Sequence, residues 1–185
     1  MICQIRDLRG ALVAKIRRET ANHLDGKPSY IRWKLNSLLD EKMIEELYLA
    51  AKAGVKIDIV TRGICAFRLS HVAQHQNVRI RSILGRFLEH SRIFHFHNDG
   101  NPEYFIGSAD IMDRNLNRRI EALVQIKRET HIRSLNQILE ESFNNQFTHW
   151  QMDEDDKWCL HKENKSNSDY QEFFIETITE GARND

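Results

Sequence analysis

The chain has 185 residues, of which 41% are hydrophobic, so it can bury one core and is expected to form one main domain. It has no apolar run of the roughly 20 residues that a membrane span needs and no secretory pattern after Met1, which favours a cytoplasmic protein. The net charge is zero, but residues 1–133 carry 23 basic and 15 acidic side chains, whereas residues 134–185 carry 4 and 12. The basic part is typical of a protein that binds a polyanion.

Hydrophobic periodicity predicts alternating helices and strands in the first part of the chain. An amphipathic helix is expected over residues 5–23 and a strand over residues 30–36. A second helix begins after Asp40, which can cap it, and ends near Gly54; a strand over residues 55–60 follows. A strand, a helix and a strand within about 30 residues form a βαβ unit, so the sheet is expected to be at least partly parallel.

Later segments predict shorter strands and two further helices. Residues 66–77 show weak periodicity and are expected to form a loop. Strands are predicted at residues 78–83, 92–96, 104–106 and 120–126, and helices at residues 130–147 and 169–178, with a turn at 153–156 between Trp150 and Trp158. The predicted fold is α/β, with a mixed sheet, helices on both faces and a short C-terminal helical appendage. Three aromatic residues are assigned to the core, namely Trp33, Phe87 and Phe105.

Basic and polar side chains cluster at the predicted strand ends. Asn36 and Arg62 follow two parallel strands, and ligands of open parallel sheets bind at the carboxyl ends of strands. Guanidinium groups match phosphate oxygens bidentately, and a histidine can carry a proton near pH 7. These residue types predict a site that moves a phosphoryl group. The candidates are Lys34, Asn36, Arg62, His90 and Arg92, then Ser108, Asp110, Arg114 and Asn115, and no metal ligands are predicted.

Seven of these nine candidates also have a structural interpretation, because paired or perturbed charges arise in ordinary folds as well as at functional sites. Turn residues likewise need no catalytic role. The structural alternatives are an ion pair for Arg62 or Arg92, a solvated sheet edge for Lys34 and Asn36, a turn for Ser108 and Asp110, and an ordinary polar position for His90.

The pair His90 and Arg92, with the later loop at residues 107–110, resembles the H-x-[K/R] and G-S-x-[N/D] outline of the phospholipase D fold. Phosphodiesterases of that superfamily have H-x-K and an acid five residues after the lysine. Here Arg92 replaces the lysine and His97 stands where the acid would be. A phosphodiesterase is therefore the third interpretation.

Four longer motifs carry a more specific resemblance. They are KLNSLLD at residues 34–40, AGVKIDIVTRGIC at 53–65, GRFLEHSRI at 85–93 and GSADIMDRNL at 107–116. In the same order and spacing, over about residues 6–150, they closely resemble the C-terminal catalytic domain of bacterial polyphosphate kinases. The resemblance predicts a phospholipase-D-like domain over residues 1–150 and an acidic extension over residues 151–185 that packs on it or trails from it.

This resemblance implies reversible transfer of the terminal phosphate of ATP to inorganic polyphosphate, with Mg2+. Arg62 and His90 match positions that hold the nucleotide in that family, and His90 is also implied in catalysis. The family's nucleophile is an autophosphorylated histidine of the preceding domain. That domain is expected to be missing from this chain, so the chain is expected to be a half-site that is inactive alone. Its implied partners are ATP or ADP, polyphosphate and the histidine-bearing domain of the same enzyme, which is expected to be a homo-oligomer.

One alternative from another class stays open, a non-catalytic polyanion-binding or assembly module in which His90 is incidental. Nucleic acid is not an expected partner. The sequence contains no recognised nucleic-acid-binding motif, and its aromatic residues do not alternate with basic ones as stacking platforms would.

Overall fold

A computed structural model of the protein describes residues 7–72, 75–162 and 169–181. Its helices are α1 (Leu8–Leu24), α2 (Glu41–Ala53), α3 (Asp113–Asn117), α4 (Glu129–Glu141) and α5 (Tyr170–Gly181). Its strands are β1 (Tyr30–Leu35), β2 (Lys56–Thr61), β3 (Val78–Ser82), β4 (Ile93–Phe96), β5 (Glu103–Gly107), β6 (Leu123–Ile126), β7 (His149–Met152) and β8 (Trp158–His161). They form one mixed sheet in the order β6-β5-β4-β1-β2-β3-β7-β8, so the predicted sheet is confirmed. Within the described ranges, no helix is long and apolar enough to cross a membrane.

The predicted βαβ unit lies at the centre of the sheet. β1 and β2 are parallel, with Ile31 opposite Ile57. Helix α2 begins after Asp40, whose carboxylate accepts a hydrogen bond from the Met43 amide at 3.1 Å. It ends at Gly54, whose φ of 105° lies in a region that residues with a Cβ rarely adopt. β3 adds parallel to β2, and β4 adds antiparallel to β1.

Helices cover both faces of the sheet, as predicted. α1 and α2 pack on one face, over fully buried strand residues that include Trp33 and Ile59. On the opposite face, Leu139 of α4 packs with strand residues of β4 and β5, and Tyr170 of α5 packs with Val60. Of the three predicted core aromatics, Trp33 and Phe105 are buried.

The polar face of β1 is buried, although a strand with this alternation is typically half exposed. Arg32 lies beneath α4 and is 8% exposed. Its Nη2 donates to Asn136 at 2.6 Å and its Nε donates to Nδ1 of His95 at 3.2 Å. These bonds offset the cost of removing the guanidinium from water.

His95 gives the fold a testable dependence on pH. Burial, with smaller contributions from Arg32 and His97, lowers the pKa of His95 to about 2. An unfolded histidine titrates near pH 6.5, so below that pH the unfolded state binds a proton that the folded state does not. We therefore expect the free energy of unfolding to fall by about 1 kcal/mol between about pH 7 and pH 5.5 from this residue alone. Urea unfolding across this range measures the loss.

A His95→Gln variant keeps a hydrogen-bond acceptor for Arg32 and should flatten this pH profile. His149 has a lowered pKa, mainly through burial, so His149→Gln should flatten it further. The matched variant His131→Gln changes an exposed residue of α4 and should leave the profile unchanged. A wild-type free energy of unfolding that stays constant from pH 7 to 5.5 would contradict the expectation.

The C-terminal part of the chain departs most from the sequence-based expectation. The helix predicted over residues 130–147 ends at Glu141, where the Ser142 hydroxyl donates back to the Ile138 carbonyl at 2.7 Å. The predicted turn at residues 153–156 is present, and it connects two strands that were not predicted, β7 and β8; β7 pairs with β3. The predicted domain boundary at residue 150 falls inside β7, and the division into two domains stays a prediction.

Candidate functional site

The carboxyl ends of β1 and β2 meet at Asn36. This residue is 6% exposed, and its Oδ1 accepts a hydrogen bond from Nε of Arg62 at 3.0 Å. Its carbonyl accepts from the Gly63 amide at 2.7 Å and from the Thr61 hydroxyl at 3.1 Å. The two terminal nitrogens of Arg62 make no hydrogen bond or ion pair within the described part of the chain. Asn36 thus orients Arg62 and leaves its donors available.

Asp110 connects the loop after β5 to the end of β1. Its carboxylate accepts hydrogen bonds from the amides of Asn36 and Ser37, at 2.8 and 3.2 Å, and from Nη2 of Arg92 at 2.8 Å. Burial by itself would raise the pKa of Asp110, but these bonds outweigh it and hold the pKa below its ordinary value. Asp110 is therefore ionised at neutral pH and fixes the Arg92 guanidinium.

Arg92 and His90 differ in exposure. The Arg92 side chain is 10% exposed and pairs with Asp110, as its structural interpretation expects, and its Nη1 donates to the His90 carbonyl at 3.0 Å. Its buried Nε has no partner among the described residues. The imidazole of His90 is exposed. Arg92 therefore holds the backbone of His90 and leaves the ring accessible.

A cleft of about 570 Å³ lies between the Arg62-Gly63 turn and residues 83–89. Arg86 gives it a second guanidinium. Its apolar lining includes three exposed side chains, Leu84, Phe87 and Leu88. Phe87 is 54% exposed, so its assignment to the core is wrong.

Helix α5 and strand β1 hold this segment in place. Gln171 accepts a hydrogen bond from the Phe87 amide at 2.7 Å and donates to the Phe87 carbonyl at 2.8 Å and to Glu89 at 3.0 Å. The other Glu89 oxygen pairs with Nζ of Lys34 at 2.7 Å, and Lys34 is only 5% exposed. Neither Lys34 nor Asn36 is a solvated edge residue. Sequence reasoning missed Gln171 and Glu89, and no local signal marks Gln171.

Replacing Gln171 with alanine should loosen residues 83–89. The change removes three hydrogen bonds from a side chain that is 8% exposed. We expect faster hydrogen exchange at the Phe87 amide and a loss of about 1–3 kcal/mol in the free energy of unfolding. Exchange followed by NMR measures both local and global opening. Glu172→Ala, at the exposed next position, is the control, and an unchanged Phe87 exchange rate would refute the proposed restraint.

The secondary candidates do not form one group. Asp110 joins Asn36 and Arg92, as described above. Ser108 donates to Glu121, and Asn115 donates to the other Glu121 oxygen at 2.7 Å, so these two residues belong to a separate cluster. Glu121 was not among the site residues predicted from the sequence. Arg114 is exposed and makes no side-chain hydrogen bond or ion pair with the described residues.

Comparison with known proteins gives the family. The sequence matches the family described as "Polyphosphate kinase C-terminal domain 2" over residues 1–171. The chain belongs to this family.

Named relatives agree with this result. The polyphosphate kinase of Streptomyces coelicolor is 45% identical over 156 residues, which are 84% of this chain and 21% of the relative. The polyphosphate kinase of Mycobacterium avium is 42% identical over 151 residues, or 82% and 20% of the two chains. This chain thus spans about a fifth of the length of these curated relatives.

Solved structures confirm the phospholipase-D-like fold. The crystal structure of polyphosphate kinase from Porphyromonas gingivalis matches with a TM-score of 0.86 and 32% identity, over 98% of this chain and 28% of that chain. Nuc, a phospholipase D family member from Salmonella typhimurium, matches with a TM-score of 0.51 over 83% of this chain and 91% of its own. Its identity is 15%, so that likeness concerns the fold alone.

Proposed function

We propose that this chain supplies the nucleotide-binding half-site of a polyphosphate kinase, which transfers the terminal phosphate of ATP reversibly to inorganic polyphosphate. The observation that carries the proposal is Arg62, which Asn36 holds at the cleft with two donor nitrogens unpaired among the described residues. Membership of the polyphosphate kinase C-terminal family supports the same reaction class.

The cleft combines the two surfaces that a nucleotide needs. Exposed Leu84, Phe87 and Leu88 offer apolar contact for a base, and Arg62 and Arg86 offer donors for phosphate oxygens. Phosphoryl transfer spreads negative charge over three equatorial oxygens, so catalysis depends on fixed cations. Because Asn36 already orients Arg62, little reorganisation is needed when that charge develops.

His90 and Arg92 complete the proposed half-site. The accessible imidazole of His90 would donate a proton or stabilise charge on the transferred group. Arg92 would act chiefly as a positioning residue, since Asp110 and the His90 carbonyl already take both its terminal nitrogens. Ser108, Arg114 and Asn115 make no described contact with Arg62 or His90, and direct roles for them stay predictions.

The rest of the reaction is assigned to other parts of the enzyme. The phosphorylated histidine would come from a histidine-bearing domain, so the 185-residue chain by itself would bind nucleotide without turnover. We also propose that the whole enzyme assembles as a homo-oligomer. Because the proposed donor is ATP, the proposal also places the enzyme in the cytoplasm.

The described residues do not fit a protein-built magnesium site. They contain no group of three or more His, Cys, Asp or Glu side chains that could hold a metal ion. The carboxylates of Glu89 and Asp110 are already paired with Lys34 and Arg92. Mg2+ often binds through substrate phosphates, and we propose that it enters with the nucleotide.

Calorimetric titration with ADP and ATP in Mg2+, beside a polyphosphate turnover assay, tests the proposal. We expect saturable nucleotide binding, a shift of the His90 ring signals in NMR spectra, and no turnover. Polyphosphate binding without any nucleotide binding would instead favour the non-catalytic polyanion-binding module. Hydrolysis of a phosphodiester would favour the phospholipase-D-type activity.

A further inference from the structure

A second cavity, of about 490 Å³, lies on the sheet beside β3, β7 and β8. Among the described residues, it shares no lining residue with the cleft at Arg62. Its described lining consists of basic residues, histidines and two amides, without an acidic or aliphatic residue; the lining residues are Arg79, Arg81, Asn145, His149, Gln151, His161 and Lys162. This composition suits an anion.

Arg81 is a buried cation that this cavity leaves incompletely paired. It is 3% exposed; its Nε donates to Gln151 at 3.0 Å and its Nη2 donates to Asn145 at 2.5 Å. Its Nη1 is buried and has no partner among the described residues. Within those residues no carboxylate forms an ion pair with it, because both oxygens of the neighbouring Asp58 bind Arg79. A buried, unpaired cation is costly unless an anion meets it.

Two histidines and a lysine extend the lining around Arg81. Nδ1 of His149 lies 2.7 Å from the Phe147 carbonyl, so this nitrogen carries the proton. The ring stacks on His161, with centroids 5.1 Å apart and planes 7° apart. Burial, together with the charge of Arg81 and the nearby His161, lowers the pKa of His149. An anion in the cavity would oppose that effect. Lys162 is exposed and lines the same cavity.

We propose that this cavity is a second phosphate-binding site, in which Arg81, His149, His161 and Lys162 contact phosphate oxygens. The ligand is either free orthophosphate or a phosphoryl group within a polyphosphate chain, since both present the same tetrahedral anion. The polyphosphate source rests on the proposed function, whereas the orthophosphate source does not.

The histidine rings allow each site to be followed separately. The chain is labelled with 13C-histidine and titrated with orthophosphate and, separately, with tripolyphosphate. We expect saturable shifts of the His149 and His161 signals with at least one ligand. Tighter binding of tripolyphosphate than of orthophosphate would assign the site to polyphosphate. Similar affinities for the two ligands would assign it to free orthophosphate.

Substitutions at the edge of the cavity test the assignment without disturbing buried Arg81. His161→Gln with Lys162→Gln should weaken binding about 10-fold, because two charge-assisted contacts are lost. Lys157→Gln, at an exposed lysine before the same strand, is the matched control and should have no effect. Absent shifts, or shifts that the double variant leaves unchanged, would overturn the inference. Shifts of His90 alone would overturn it and leave the proposed function standing. The proposed function is tested separately by titration with ADP and ATP, and it would fail if neither nucleotide shifted the His90 signals or bound saturably.

Discussion

Replacing Arg62 with alanine is expected to weaken the binding of ADP and ATP about 10- to 100-fold, since a hydrogen bond to a charged group contributes about 1.5–3 kcal/mol. Nε of Arg62 is held by Asn36 at 3.0 Å, and its terminal nitrogens lie at the cleft. The variant removes these donors together with their charge. Calorimetry on the 185-residue chain, in buffer containing Mg2+, measures the change in Kd.

Two further variants separate charge from geometry at this position. Arg62→Lys keeps a cation but cannot form the planar, doubly donating contact, so we expect an intermediate affinity. Arg133→Ala removes an arginine of α4 that is 67% exposed and pairs with Glu129, and it should leave the affinity unchanged. A Kd for Arg62→Ala equal to that of the wild type would remove the main support for the nucleotide half-site.

Replacing Asp110 with alanine is expected to lower the free energy of unfolding by about 3–5 kcal/mol. The change leaves the guanidinium of Arg92, whose side chain is 10% exposed, without its carboxylate. It also removes the acceptor of the amides of Asn36 and Ser37. Because hydrogen bonds hold the pKa of Asp110 below its ordinary value, this stabilisation is present at neutral pH and is lost as the pH falls through the folded-state pKa.

A double-mutant cycle tests whether the Arg92 charge causes this loss. Asp110→Ala combined with Arg92→Leu removes both charges, so the double variant should be less destabilised than the sum of the single variants. Asp113→Ala is the matched control, because Asp113 is 60% exposed and its ion pairs are 3.6 and 3.8 Å long. It should cost under about 1 kcal/mol. Additive single effects in urea unfolding would show that Arg92 and Asp110 are not coupled.

The position of Gln171 gives the acidic C-terminal segment a part in the site. Gln171 lies in α5, within the predicted extension at residues 151–185, and it binds the backbone of Phe87 in the cleft. The β7-β8 hairpin likewise extends the sheet from β3, and it supplies His149, Gln151 and His161 to the lining of the second cavity. The segment is therefore integrated with the sheet in the described structure, whether or not it is a separate domain.

The sequence alone determined the centre of the fold and the pair Asn36 and Arg62. Alternating apolar residues define β1 and β2, and Asp40 and Gly54 mark the ends of α2, because periodicity and capping act over one or two helical turns. Parallel strands then place Asn36 and Arg62 at one edge of the sheet. The long motifs brought His90 and Arg92 into the same prediction.

Only the tertiary structure decided which side chains meet across long stretches of sequence. Gln171 and Phe87 are 84 positions apart, and Asp110 and Asn36 are 74 apart. The sequence did not predict β7 and β8, because these four-residue strands lie in a polar, acidic stretch where local alternation is weak. The cavity around Arg81 forms because β3 pairs with β7. Local residue patterns do not specify this pairing, which depends on the packing of the whole sheet.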